Sequence, residues 1–112
     1  MSIFQRIINR EIPAQIVFED DRVIGFRDAQ PQAPIHILFV PKQTMPTLND
    51  ARSEDAQLLG ELFLAAAAYA KEQGFADAGY RCVVNCNGDG GQSVFQLHLH
   101  LLAGRVLAWP PG

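Results

Sequence analysis

Two cysteines, one tryptophan and three histidines are all that this 112-residue chain holds of those residue types. Cys82 and Cys86 lie four positions apart, and no second pair completes a zinc knuckle. Met1 to Gln15 carries charges and no apolar core of signal-peptide length, so the thiols read as reduced and partly buried, and the compartment as cytoplasmic. No apolar run approaches the roughly 18 residues that span a membrane. The longest, Leu62 to Ala70, is short and rich in alanine. Charged residues make up only 19%, with 9 Lys+Arg against 12 Asp+Glu and a formal net charge of -3. Without a dense basic patch to release counterions, a nucleic-acid polymer is excluded as partner, although a local site can hold a single nucleotide. At 48% hydrophobic content disorder is excluded, and no repeat or low-complexity tract interrupts what reads as one domain over 1–112. A chain this short buries roughly two thirds of its unfolded surface, which leaves room for further burial by dimerisation.

The periodicities give an order of elements. Ile3, Phe4, Ile7 and Ile8 recur at helical spacing, which predicts a short helix stopped by Pro13. Gln15 to Glu19 and Val23 to Asp28 read as strands joined by the turn Glu19-Asp20-Asp21-Arg22. Gln30-Pro31-Gln32-Ala33-Pro34 is a turn, and His36 to Val40 is the next strand. A long helix starts near Ser53 as N-cap and ends at Gly74. Its apolar stripe is Leu58, Leu59, Leu62, Phe63, Ala66, Ala67 and Ala70. Tyr80 to Cys86 and Val94 to Ala103 complete five strands. Helices and strands do not alternate regularly, so the class is α+β, a mostly antiparallel sheet with one long and one short helix.

The last strand concentrates the histidines. In Gln96-Leu97-His98-Leu99-His100-Leu101-Leu102 leucine alternates with polar residues, the period of a strand. Gln96, His98 and His100 then share one face, and Leu97, Leu99 and Leu101 face the long helix. Two imidazoles so placed lie roughly 6.5–7 Å apart, within reach of one phosphate or one metal. Gly90-Gly91-Gln92-Ser93 precedes them and offers main-chain N–H groups that can cradle an anion. It is no P-loop, since it lacks the Lys-Ser/Thr ending and leads into a strand.

The segment Gly90 to Leu102 resembles the signature of the histidine triad superfamily, His-φ-His-φ-His-φ-φ. The rest is similar to its Hint branch: Ile3-Phe4, Glu11-Ile12-Pro13-Ala14, Phe18-Glu19-Asp20-Asp21, Pro31-Gln32-Ala33-Pro34 with His36, Val83-Val84-Asn85, Gly104-Arg105 and Trp109-Pro110-Pro111-Gly112. The resemblance implies a homodimer whose two five-stranded sheets join into one. It also implies binding of a purine nucleoside monophosphate and hydrolysis of adenosine or guanosine 5′-phosphoramidates. By position, His98 resembles the nucleophile, His100 the third triad histidine and His36 the additional histidine behind them. Gly91, Gln92 and Ser93 resemble the phosphate loop, and Asn85 a nucleotide contact. Asp28, with Ala29 beside it, resembles the ribose site, and Phe4, Ile7 and Phe26 the walls around the base. Trp109 resembles a tail residue that approaches the partner subunit's site. The first triad position is Gln96, which carries no titratable proton, although its main-chain carbonyl can still orient the nucleophile.

The implied reaction is a double displacement. His98 attacks phosphorus, an amine leaves with a proton from His100 or from the phosphate itself, and water hydrolyses the nucleotidyl-histidine. Ser93 and the neighbouring amides stabilise the phosphate oxygens. No metal or cofactor is required. A second reading is a purine-nucleotide-binding module with little catalysis because of Gln96, in which Gln96→His would raise the rate. A third is a zinc site of His36, His98 and His100.

Overall fold

The computed structural model describes residues 1–112. The chain opens with helix α1 (Ile3–Ile8). Ser2 and Gln5 cap it reciprocally: the Gln5 N–H donates to the Ser2 hydroxyl at 3.1 Å, and the Ser2 N–H to Gln5 Oε1 at 2.6 Å. The helix ends well before Pro13. Asn9 caps it, and Arg10 turns the backbone left-handed at φ 63, with the Glu11 N–H returning to the Arg6 carbonyl. Strands β1 (Ile16–Glu19), β2 (Val23–Arg27) and β3 (Ile35–Pro41) follow. The β1–β2 turn is closed by Asp20, whose Oδ1 accepts the N–H groups of Arg22 and Val23 at 2.8 Å each.

The long helix α2 spans Ala56–Gln73. Ser53 does not cap it. Ser53–Asp55 is a separate turn of 3₁₀ helix, in which Asp55 Oδ2 accepts the Arg52 N–H and Oδ1 accepts from Gln43. Gly74 ends α2 in the left-handed conformation, φ 85, as its position suggested. The buried stripe is Leu58, Leu62, Ala66, Tyr69 and Ala70. Phe63, expected inside, stays 48% exposed, because it lies about 100° round the helix from Leu62, off the stripe that Leu58, Leu62, Ala66 and Tyr69 form. Leu59 and Ala67 are half-buried.

Strand β4 covers Arg81–Val84, shorter than the expected Tyr80 to Cys86, and β5 covers only Leu99–Ala103. The five strands form one sheet in the order β1-β2-β3-β5-β4, with every pairing antiparallel. Val94 to His98 is thus not strand. The segment bends before it enters the ladder, so Gln96 does not share a strand face with the two histidines. The leucines behave as expected: Leu97, Leu99 and Leu101 are buried with Leu58, Leu62 and Tyr69 against α2. The opposite sheet face carries a second cluster, in which Phe4 and Ile7 of α1 cover Ile24, Phe26, Leu38 and Val40.

Both cysteines are unpaired and half-buried. No helix is long and apolar enough to cross a membrane. Leu62 is fully buried between α2 and the sheet. Leu62→Ala is expected to cost about 2–5 kcal/mol of stability; a lower urea midpoint at unchanged slope is the check.

Candidate functional site

On the α1 face of the sheet a cleft of about 920 Å³ opens, large enough for a nucleotide-sized ligand. Its apolar end is built by Phe4 and Ile7 of α1, Phe26 of β2 and Leu38 of β3, with Ile12 from the loop after α1. Phe4 meets Phe26 edge-on at 5.4 Å between ring centroids, and meets the His98 ring edge-on at 4.9 Å. The polar end holds Asp28, His36, Ser93, His98 and His100, with Ala29 beside Asp28. Fold and register bring these together: His36 stands opposite Leu102, and His100 opposite Leu38, so the two imidazoles sit diagonally on adjacent strands.

Their hydrogen bonds form a directed chain. The Gln32 main-chain N–H donates to His36 Nδ1 at 3.0 Å. His36 Nε2 lies 2.9 Å from His100 Nδ1 and 3.4 Å from Asp28 Oδ2. A nitrogen that accepts an N–H is bare, so the proton of a neutral His36 sits on Nε2 and is donated to His100 Nδ1. His98 has the opposite arrangement. Its Nδ1 lies 2.8 Å from the Gln96 carbonyl, which can only accept, so Nδ1 carries the proton and Nε2 the lone pair.

All three rings are held neutral. Burial pushes His98 below its ordinary range, partly offset by the Gln96 carbonyl and Asp28. Burial, with His98 and His36 as neighbours, pushes His100 down to about 4. Burial also lowers His36 against the pull of Asp28.

Gln96 is fully buried, and its side chain points away from the reacting end of the cleft. Its amide nitrogen donates to the Pro41 and Gln43 carbonyls at 3.0 and 2.8 Å. Its oxygen accepts from the Met45 N–H at 3.1 Å and from Gln5 Nε2 at 3.3 Å. Four bonds saturate the group and tie α1, the loop after β3 and the bend before β5 to one another. This bracket is why Val94 to His98 leaves the ladder.

Other expected residues fall elsewhere. Gln92 is buried, and its side chain braces the loop: Nε2 donates to the Pro46 and Val94 carbonyls, and Oε1 accepts the Asn87 N–H. The N–H groups of Gly91 and Gln92 are spent on Gly88 and Asn87. The amides of Gly88, Asp89, Gly90, Ser93 and Val94 make no main-chain bond within the loop, and of these residues only Ser93 and Val94 line the cleft, with Ser93 exposed beside the histidines. Asn85 does not line the cleft of its own chain, and neither does Trp109. The tail lies by β4, where Arg81 donates to the Leu107 and Ala108 carbonyls and stacks over the Trp109 ring. The donors that converge are Asp28, His36 and His100, within 4.8 Å of one another. The zinc set imagined from sequence, with His98 and without an acid, is therefore not the one the fold assembles. Sequence reasoning missed Arg27, Gln15 and Gln32, which also line the cleft. The two prolines flanking Gln32 were the one available signal for a fixed loop there.

Residues 9–107 match the model of the HIT domain family. The chain is 54% identical to an uncharacterized HIT-like protein of Synechococcus elongatus, over 99% of this chain and 96% of the relative. It is 50% identical to the purine nucleoside phosphoramidase of Escherichia coli K12, over 95% of this chain and 89% of the relative. Among solved structures, a HIT family hydrolase from Legionella pneumophila Philadelphia 1 superposes with a TM-score of 0.97 at 46% identity, each chain covered completely.

Two outcomes follow from this geometry. A neutral histidine offers one donor and one acceptor, against the four bonds Gln96 makes. Gln96→His should therefore lower the melting temperature, at a cost of about 1–3 kcal/mol for buried groups left unpaired, without raising any activity of the cleft. The lowered imidazoles set a pH dependence. Between about 4 and the ordinary 6.5 of histidine the unfolded chain binds more protons than the folded one. Stability is then fully present above 6.5 and declines as the pH falls toward 4. Denaturant midpoints measured across that window check the sign.

Proposed function

The chain belongs to the HIT domain family as a nucleotide hydrolase, and on that premise we propose that it cleaves the P–N bond of purine nucleoside 5′-phosphoramidates through a nucleotidyl intermediate on His98. The observation that carries this reading is the tautomer of His98. With Nδ1–H donated to the Gln96 carbonyl at 2.8 Å, the lone pair is on Nε2, and burial keeps it unprotonated at neutral pH.

The base lies between Phe4, Ile7 and Phe26, and the ribose hydroxyls reach Asp28. The Ser93 hydroxyl, the amides of Ser93 and Val94, and the Nε2–H of His100 hold the phosphate oxygens. His98 Nε2 attacks phosphorus. The P–N bond breaks with its electron pair left on nitrogen, and the amine departs neutral, keeping the proton it carries when the phosphoramidate is N-protonated. The positive charge that forms on His98 is met by the Gln96 carbonyl through Nδ1–H. Water then attacks phosphorus, the His98 N–P bond breaks with its pair returned to Nε2, and the water proton passes to solvent. The products are a nucleoside monophosphate and an amine, and no proton at position 96 is used.

The buried bracket made by Gln96 speaks against the reading as a mere binding module, since its side chain stands outside the chemistry that the substitution was thought to remove. The protein acts as a homodimer in this proposal. Strand β4 ends the sheet and offers its outer edge to a second copy, which would carry Trp109 toward the neighbouring cleft. Asn85, just past β4, serves the nucleotide only if that assembly turns it inward.

Rapid quench of the enzyme with adenosine 5′-phosphoramidate, followed by mass spectrometry, should show an AMP adduct on His98. In His98→Ala the adduct should vanish and turnover fall at least a hundredfold. Full turnover without His98 would overturn the proposal.

A further inference from the structure

The turn Gly104-Arg105, carried over by resemblance without a role, closes onto the loop between β2 and β3. Gly104 adopts φ 95, and a Cβ there would stand 2.8 Å from the Pro34 side chain. Only glycine lets the two segments approach so closely. Arg105 Nη2 donates to the Gln32 carbonyl at 2.9 Å. Within the loop, Gln32 Nε2 donates to the Gln30 carbonyl, and the Asp28 N–H donates to the His36 carbonyl, each at 3.0 Å. The Gln32 N–H is thereby fixed in place 3.0 Å from His36 Nδ1.

That one main-chain proton has consequences two rings away. Met by an N–H, His36 Nδ1 stays bare, and the His36 proton stays on Nε2, facing His100 Nδ1 at 2.9 Å. To become imidazolium, His100 would need a proton on Nδ1, which would then confront the Nε2–H of His36. His36 cannot yield by changing tautomer, because its other nitrogen is occupied by Gln32. Asp28 Oδ2, 3.4 Å away, holds the same proton in place. The groups facing His100 are thus His36, His98 and Asp28, and the desolvation that keeps it neutral acts in the same direction.

We infer that the Gln32 main-chain N–H, held by the Gly104-Arg105 turn, is a positioning group that locks His100 as a neutral Nε2–H donor, so that His100 is a fixed hydrogen-bond donor to the phosphoryl group and not the acid for the leaving amine. A neutral imidazole fixed in this way stabilises developing negative charge without giving its proton up. The role of the donor rests on the phosphoramidase reading; the lock itself does not.

Histidine ¹⁵N NMR at neutral pH separates the two, with AMP as the added probe. The native protein should show Nε2–H on His36 and His100 and Nδ1–H on His98, and bound AMP should leave His100 neutral. Gln32→Pro removes the N–H. It should move the His36 proton to Nδ1 and let bound AMP convert His100 to imidazolium. Arg105→Met should shift the same resonances part of the way, and it decides the matter if Gln32→Pro does not fold. The lock is overturned if native His100 carries Nδ1–H, if it becomes imidazolium with AMP, or if the folded variants keep native tautomers. If AMP perturbs neither His98 nor His100, the phosphoramidase reading fails instead, and the tautomers of the free proteins still decide the lock.

Discussion

The register of β3 against β5 is the constraint on which the site depends. Leu38 faces His100 and His36 faces Leu102, so both imidazoles emerge on the α1 side of the sheet. Ile37, Phe39, Leu99 and Leu101 emerge on the α2 side and are fully buried there. A slip of β5 by one residue would send His100 into the α2 core and turn Leu99 and Leu101 toward the cleft. The hydrophobic cluster under α2 therefore fixes the catalytic geometry as firmly as any polar contact does. The 2.9 Å bond between His36 and His100 is a consequence of that packing.

Within this frame, electrostatics are managed by neutrality. The charged side chains that line the cleft are Asp28 and its neighbour Arg27, and burial lowers the three imidazoles toward the uncharged form. In the proposed function a phosphate beside the histidines is met by hydrogen-bond donors. Such donors act at short range and by direction, which suits a centre where charge moves between oxygens during reaction. A site of this kind has less to gain from extra negative charge on the ligand than one that holds phosphate with lysine or arginine.

Much of this could be read in the chain. The five strands, the long helix with its Gly74 terminus and the leucine face of β5 follow from periodicity alone. His98 and His100 do meet, at 4.8 Å between ring centroids, but not as two positions of one strand face roughly 6.5–7 Å apart, because His98 precedes β5. What escaped was decided mainly by single polar groups. Asp55 accepts the Arg52 N–H and closes Ser53–Asp55 as a 3₁₀ turn, so Ser53 is not the cap of the long helix. Gln96 captures the loop at 41–45 and bends the chain before β5, so a segment with perfect alternation is not strand. Phe63 lies beside the stripe rather than on it, whereas Tyr69, seven residues after Leu62, continues its face and is covered. The resemblance located Gln92 in the phosphate loop. The structure adds that its amide and side chain are spent on shaping that loop, which leaves Ser93 and Val94 to face a ligand.

Two main-chain groups of opposite polarity give the two central histidines opposite tautomers. The Gln96 carbonyl can only accept, so His98 keeps its proton on Nδ1 and its lone pair on Nε2. The Gln32 N–H can only donate, so His36, and through it His100, keep theirs on Nε2. One ring is left with a bare Nε2 and the other with a bare Nδ1, and no charged side chain assigns either state. Both are main-chain groups. At position 96, where the histidine triad pattern has histidine, the group that meets His98 is the main-chain carbonyl of Gln96. Its side chain is free to serve the scaffold, and there an amide with two donors and a two-lone-pair acceptor satisfies four partners that an imidazole cannot.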